Sequence, residues 1–249
     1  MVFFCVFYHP SIMPSDLVLT VLVPALNEEK GIRRTLDEVC SALDATFPQS
    51  EVLTINDGST DATEQIMKEA ASQDGRIVVI PHDRPMGLGA DYWEAIQKSR
   101  AEFLVLVPGD SEVSGDSIRE LFAKAHTTDI VSCYATNPQV RERSRQIISK
   151  AYVILINTLF GYRLKYYNGP CLVRVSLMRQ LKQPTTSFAY MTEIMLQLLD
   201  RKATITEIGM TLRPRPSGKT KAFKIKNVIG VVQTIGGMFW KLRVKKSTT

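Results

Sequence analysis

Four short runs rich in β-branched and aliphatic residues, Leu17–Val23, Glu51–Ile55, Arg76–Ile80 and Phe103–Val107, alternate with stretches of helical length. Uninterrupted apolar runs of this size suit strands covered on both faces. Strands alternating with helices connect by right-handed crossovers, so the pattern predicts an α/β fold with a mostly parallel sheet flanked by helices. In such sheets ligands gather beyond the carboxyl ends of the strands. The residues following each strand therefore carry the functional information. They are Pro24-Ala25-Leu26-Asn27-Glu28-Glu29, Asn56-Asp57-Gly58-Ser59-Thr60-Asp61 and Pro108-Gly109-Asp110-Ser111-Glu112, after the first, second and fourth runs. Asn27, Glu28, Asp57, Asp110 and Glu112 are thereby expected on one edge of the sheet. Two acids one residue apart at a strand tip can hold a hard cation against a phosphate, and a solvated acidic turn is the plainer alternative.

Local signals place the helices. Glu28 and Glu29 are expected in the first turn of a helix running to about Thr46, where acids suit the macrodipole. Asp61 and Glu64 have the spacing of a helix N-cap and its reciprocal partner, predicting a helix over Ala62–Ser72. A loop, His82–Asp91, precedes a helix to about Ser99. Its Gly87 and Gly89 do not form a dinucleotide fingerprint, because position 92 is Tyr92 and the loop follows the third strand. Glycines before a helix still let backbone N–H groups approach an anion. Arg141–Gly161 reads as an amphipathic helix, with Arg141, Arg145 and Ser149 on one face. Ile147, Ile148, Ala151, Ile154, Leu155 and Leu159 form the apolar side, and a solvated basic face is the alternative to a phosphate site. Tyr166–Pro170 reads as a turn, Leu177–Leu181 and Met191–Leu199 as helices, and Ala203–Ile208 as a strand. Glu193 lies among apolar residues of the second helix, on a polar flank or toward a cleft.

Composition narrows the function classes. The 249 residues are 45% hydrophobic, enough for one large domain, expected over 17–222, with an extension over 1–16 and a tail over 223–249. The four cysteines show no paired spacing, which predicts neither a zinc finger nor a disulfide framework and fits a reducing, cytoplasmic setting. The three histidines stand alone, so no histidine-built metal site is expected. No run reaches the ~20 apolar residues of a membrane span, and Val2–Tyr8 lacks the flanks of a signal peptide. The net charge of +6 is concentrated after Glu207, where every charged residue is basic. That pattern favours anionic substrates or a membrane surface. Few aromatics interleave with the basic residues, so nucleic acid is not expected as a partner. The tail mixes Phe223, Ile225, Val228, Ile229, Val232, Ile235, Phe239 and Trp240 with lysines, as an interfacial helix does; packing on the domain is the alternative. Gly230, Gly236 and Gly237 argue against one long continuous helix there.

Taken in order, Val23–Glu29, Asn56–Asp61, Gly87-Leu88-Gly89 and Asp110 resemble the motifs of family 2 glycosyltransferases with the GT-A fold. Within them the chain most resembles the dolichol-phosphate mannosyltransferase-like enzymes, which glycosylate polyprenyl phosphates. The resemblance implies an inverting transfer from a nucleotide diphosphate sugar to a lipid phosphate at the cytoplasmic face of a membrane. It implies Mg²⁺ or Mn²⁺ held by Asp110 and Glu112, and donor contacts from Pro24, Ala25, Asn27, Glu28, Asp57, Gly87 and Gly89. Arg215-Pro216-Ser217-Gly218-Lys219-Thr220-Lys221 is similar to the family's R-x-x-G-x-S-K. This implies that Arg215, Lys219 and Lys221 close over the phosphates. Arg145 and Ser149 match residues that hold the lipid phosphate, with Arg141 beside them. Tyr190-Met191-Thr192-Glu193 resembles the segment bearing an acid near the acceptor. A hydroxyl acceptor would need a base, for which Glu193 and Asp91 are candidates. The family's D-A-D-x-Q is Pro108-Gly109-Asp110-Ser111-Glu112 here: the first aspartate is lost and glutamate replaces glutamine. An enzyme acting on a saccharide hydroxyl, or a scaffold that binds nucleotide sugar without turnover, remains an alternative. Self-association is left open.

Overall fold

β1 (Leu19–Ala25) and β2 (Ser50–Asn56) are buried at every position. They lie in the middle of a sheet that a computed structural model describes for residues 17–182, 184–214 and 225–244. β3 (Ile77–Pro81), β4 (Phe103–Leu106), β5 (Ile130–Ala135), β6 (Cys171–Arg174) and β7 (Ile205–Met210) complete it. The order is β3-β2-β1-β4-β6-β5-β7. β1 pairs in parallel with β2 and β4, β2 with β3, and β5 with β7. β6 runs antiparallel to both of its neighbours. The sheet is thus mostly parallel, as the strand and helix alternation predicts. β6 lies in a stretch where the sequence suggests only a turn and a helix.

Side chains alternate across the sheet. Leu19, Val21 and Val23 face a core with α1 (Ile32–Thr46), α2 (Thr63–Gln73) and α4 (Gly115–Phe122), through Leu36, Val39, Met67, Ile118 and Phe122. Leu22, Leu53 and Leu104 face a second core. There α3 (Leu88–Lys98), α5 (Arg143–Phe160), α6 (Val175–Met178), α7 (Tyr190–Asp200) and α8 (Ile225–Phe239) contribute Tyr92, Ile156, Phe160, Met178, Met195 and Met238. At their carboxyl ends β1, β2 and β4 each run into a loop.

Several local expectations change. α1 begins at Ile32, so Glu28 and Glu29 precede it. The Glu28 carbonyl instead accepts the N–H groups of Gly31 and Ile32 at 2.9 Å. The N-cap of α2 is Ala62 and not Asp61; one residue earlier, Asp61 Oδ1 accepts from Thr63 N at 3.0 Å, and Glu64 turns to Asn56 Nδ2 at 2.8 Å, so no capping box forms. α3 starts at Leu88, which puts Asp91 in its first turn and not in the loop. α5 starts at Arg143 with Glu142 as its N-cap, leaving Arg141 in extended backbone two residues ahead of it, and is closed by Gly161 in the left-handed region (φ 69°). The apolar side assigned to α5 is also different. Ile156 and Phe160 are buried, at roughly 2 kcal/mol each. Ile147, Ile148, Ile154 and Leu155 are 48–68% exposed. α8 runs unbroken through Gly230, Gly236 and Gly237 into a π-helical turn, Trp240–Val244. It is held on the domain by buried Ile235 and Met238. Lys241 Nζ also donates to Gln197 at 2.9 Å. Its opposite side leaves Ile229, Val232 and Trp240 exposed.

Candidate active site

The tip of β1 is the hub of the site. The Pro24 carbonyl accepts from Gly109 N at 3.1 Å, and the Ala25 carbonyl from Asp57 N at 2.9 Å. The β4 and β2 tips are thereby bonded to either side of Pro24–Ala25. Close packing enforces this. A Cβ on Gly109 would sit 3.0 Å from Ala25 Cβ, Ile32 Cδ1 and the Pro24 carbonyl. A Cβ on Gly31 would sit 2.9 Å from the Asp110 backbone. Asn27 takes a left-handed conformation (φ 58°), which its short polar side chain tolerates. Its Oδ1 accepts from Thr60 N at 2.8 Å. Ser59 Oγ accepts from Asn27 N, and Thr63 Oγ1 from Glu28 N. Asn27 and Glu28 thus zip the loops after β1 and β2 together.

Asp110 and Glu112 are only 8% and 7% exposed, so their carboxylates need partners. Asp110 Oδ1 accepts from Glu112 N at 3.1 Å, and Ser111, left-handed at φ 55°, donates its N–H to Thr35 Oγ1. Glu112 meets two cations: Arg141 Nη2 lies 3.1 Å from Oε2, and Arg145 Nη1 3.6 Å from Oε1. Arg141 Nε is buried and without a hydrogen-bond partner. Glu112, one of the two expected cation ligands, is therefore in contact with Arg141 and Arg145, two of the three residues expected to hold a phosphate. Ser149 lies one turn beyond Arg145 on α5, half-buried. Arg213 N donates to the Glu112 carbonyl at 2.7 Å, so the segment after β7 passes this strand tip. Arg215, Lys219 and Lys221 lie outside the described residues.

On the other side of β1, Asp57 holds the glycine loop. Its Oδ1 accepts from Met86 N at 2.5 Å and its Oδ2 from Gly87 N at 3.0 Å, with Gly87 at φ 93°. The backbone of Arg84–Pro85 lies on Gly58, where a Cβ would be 2.7 Å from Arg84 C. Gly89 packs on Thr185 and Thr186, where a Cβ would be 2.8 Å from the Thr185 carbonyl. Glu193, in the first turn of α7, accepts from Thr185 N at 2.8 Å and so anchors that segment.

The structure also gathers residues that sequence reasoning missed as a group. His82, at the tip of β3, has Nδ1 3.4 Å from Asp57 Oδ1 and 3.5 Å from Asp91 Oδ1, and Nε2 2.8 Å from Glu94 Oε2. Asp57, His82 and Asp91 offer ligand atoms within 4.8 Å of one another, a juxtaposition that the isolated spacing of the histidines does not signal. Burial, and then the charge of Asp57, push the Asp91 carboxyl up to about 7. Burial works against a charged His82, but its bonds to Glu94 and Asp57 outweigh it and raise its pKa. The available signal was position: His82 directly follows a strand, like Asp57 and Asp110.

Comparison with known proteins gives the family and the fold. The family model for glycosyl transferase family 2 matches residues 20–181, from β1 through the end of the segment after α6. The chain is 32% identical over 116 residues to dolichyl-phosphate beta-glucosyltransferase ALG5C of Trichomonas vaginalis, covering 45% of this chain and 34% of that protein. It is 24% identical over 139 residues to undecaprenyl-phosphate 4-deoxy-4-formamido-L-arabinose transferase of Aeromonas hydrophila, covering 54% and 43%. The curated relatives are thus matched over less than half of their length. Glucosyl-3-phosphoglycerate synthase from Mycobacterium tuberculosis, solved with Mg²⁺ and uridine diphosphate, superposes with a TM-score of 0.69 at 17% identity, covering 90% of this chain and 79% of that one. The fold is the GT-A arrangement, and the chain belongs to glycosyl transferase family 2.

Proposed function

We propose that the chain is a metal-dependent glycosyltransferase that moves a sugar from a nucleotide diphosphate sugar to a polyprenyl phosphate. The observation that carries this reading is the meeting at Glu112. A strand-tip acid motif touches Arg141 and Arg145, and Arg141 keeps a buried N–H without a partner. Such a donor suits a phosphate oxygen. The names of two relatives, a dolichyl-phosphate and an undecaprenyl-phosphate transferase, support the acceptor class.

Pro24, Ala25, Asn27, Glu28, Asp57, Gly87 and Gly89 frame the donor, with Arg215, Lys219 and Lys221 closing over its phosphates. Asp110 and Glu112 are buried oxygen donors at one strand tip, the set that suits Mg²⁺ or Mn²⁺; an ion on Glu112 would take the place of a guanidinium contact from Arg141 or Arg145. When bound, the ion neutralises charge on the departing diphosphate. Arg141, Arg145 and Ser149 would hold the acceptor phosphate beside the donor. A phosphate oxygen forms the new bond to that carbon while the bond to the donor's diphosphate breaks, and the configuration inverts. The acceptor is already an anion, so no base is required.

Membrane contact follows from the acceptor. Among the described residues no helix is long and apolar enough to cross a membrane. Ile147, Ile148, Ile154 and Leu155 form an exposed apolar row on the same helix as Arg145, interspersed with exposed Arg143 and Lys150. This combination suits peripheral attachment to an anionic, cytoplasmic leaflet.

Incubation with labelled nucleotide sugars, Mn²⁺ and undecaprenyl or dolichyl phosphate is expected to yield an organic-extractable lipid-linked sugar. No such product with any common donor would overturn the acceptor assignment. A second reading, transfer to a small-molecule hydroxyl, is favoured by the fold shared with glucosyl-3-phosphoglycerate synthase. It needs Glu193 or Asp91 as base. Under that reading Glu193→Gln abolishes turnover and Arg145→Ala barely matters; under the first reading the order reverses.

A further inference from the structure

We infer that Asp57, His82 and Asp91 form a second divalent-cation site, separate from the Asp110 motif, which fastens the glycine loop to the sheet. The argument starts from His82. Its N–H is bonded to the Asn56 carbonyl at 2.9 Å, which fixes the backbone at the β3 tip. Its Nε2 lies 2.8 Å from Glu94 Oε2. With the proton on Nε2 toward Glu94, as in carboxylate–histidine–metal arrangements, the Nδ1 lone pair is the atom that would bind an ion; with both nitrogens protonated, Nδ1 donates to Asp57 instead.

That lone pair faces two carboxylate oxygens, of Asp57 at 3.4 Å and of Asp91 at 3.5 Å. Three electron-rich atoms so placed repel one another unless positive charge lies among them. Asp91 supplies an independent sign of a missing ligand. Its residue is 1% exposed, and Oδ1 is fully buried without a hydrogen-bond partner. Buried carboxylate oxygens are otherwise paired. A metal with bonds of about 2.0–2.2 Å holds its ligand atoms roughly 3–4 Å apart; the two separations from His82 Nδ1, 3.4 and 3.5 Å, fall in that range, and all three ligand atoms lie within 4.8 Å of one another. One imidazole nitrogen and two carboxylate oxygens favour Zn²⁺, Mn²⁺, Fe²⁺ or Co²⁺ over Mg²⁺ and Ca²⁺.

The placement gives the ion a positioning role. Asp57 carries Met86 and Gly87 on its two oxygens, and Asp91 lies in the first turn of the helix that Gly87 and Leu88 begin. An ion among these ligands ties the β2 tip, the β3 tip and α3 into one unit beneath the loop. A proton shared between His82 and Asp91 is the competing occupant.

The test uses metal-free full chain titrated with Co²⁺, read by visible absorption, and with Zn²⁺, read by bound metal after gel filtration. Wild type is expected to show an imidazole-containing cobalt spectrum. Asp91→Asn and His82→Gln are expected to weaken that component by roughly 100-fold, and Asp110→Asn to leave it in place. Should both Asp91→Asn and His82→Gln fold, by circular dichroism, and bind Co²⁺ as wild type does, the site does not exist. Where the variants fail to fold, ¹⁵N-histidine NMR of the wild type decides. Zn²⁺ is expected to shift the His82 Nδ1 resonance, and a ring that stays doubly protonated with Zn²⁺ present would identify a proton as the occupant. Lipid-linked product is scored separately, so failure of this site leaves the transferase reading intact, and the reverse.

Discussion

Asp110 gives the sharpest prediction at the scale of single residues. Asparagine keeps the Oδ1 that accepts from Glu112 N but removes the charge. Asp110→Asn is therefore expected to fold normally and to lose at least about 100-fold in kcat/KM, measured with saturating Mn²⁺. Gly31 makes a structural prediction. Alanine there would press on the Asp110 backbone at 2.9 Å, so Gly31→Ala is expected to lower stability by about 1–3 kcal/mol in urea unfolding. At this scale the sequence was partly readable. Asn27, Asp57 and Asp110 follow strands, and strand tips converge whatever the details of packing. The grouping of His82 with Asp91 was not readable, because it depends on α3 starting at Leu88 and not after Asp91. Glu193 could be placed on its helix, but its bond to Thr185 N depends on a loop that periodicity does not describe.

At the scale of elements, α5 separates what periodicity can and cannot give. The 3.6-residue pattern marks a helix over Arg143–Phe160, yet the face it buries is decided by neighbours. Ile156 and Phe160 meet the sheet and α8, while the larger apolar row faces outward. Replacing Ile147 and Ile154 by glutamate is expected to leave the fold and melting temperature unchanged. Co-sedimentation with anionic vesicles is expected to fall at least about tenfold, since each lost side chain removes roughly 2 kcal/mol of apolar burial. Unchanged sedimentation would remove α5 from the membrane face. The junction between α2 and β3 makes a pH prediction. Asp74 accepts from Arg76 N, Nε and Nη2, and these bonds lower its pKa from 3.8 to about 2. A depressed carboxylate stabilises above its unfolded pKa and loses that contribution as pH falls through the folded value. Asp74→Asn is expected to destabilise by about 1 kcal/mol near neutral pH, the side chain being partly exposed. The difference from wild type should close between about pH 4 and pH 2.

For the whole molecule, the sheet order places β1 between β2 and β4, so the three loops that carry the motifs are adjacent by construction. That much follows from crossover rules and a buried central strand. The second half of the sheet was less readable. β6 is four residues long, follows a Gly-Pro turn and pairs antiparallel with strands more than 35 residues away in sequence, as with Ile130 and Val173. No local pattern signals such a pairing. The central claim, that the β1, β2 and β4 tips form one donor site around an ion on Asp110, is tested most directly by a crystal structure with Mn²⁺ and a nucleoside diphosphate. Data collected at the manganese edge are expected to place an anomalous peak within about 2.2 Å of an Asp110 carboxylate oxygen, with the nucleoside against Pro24–Asn27. A nucleotide bound elsewhere, or manganese found only away from Asp110, would contradict the account.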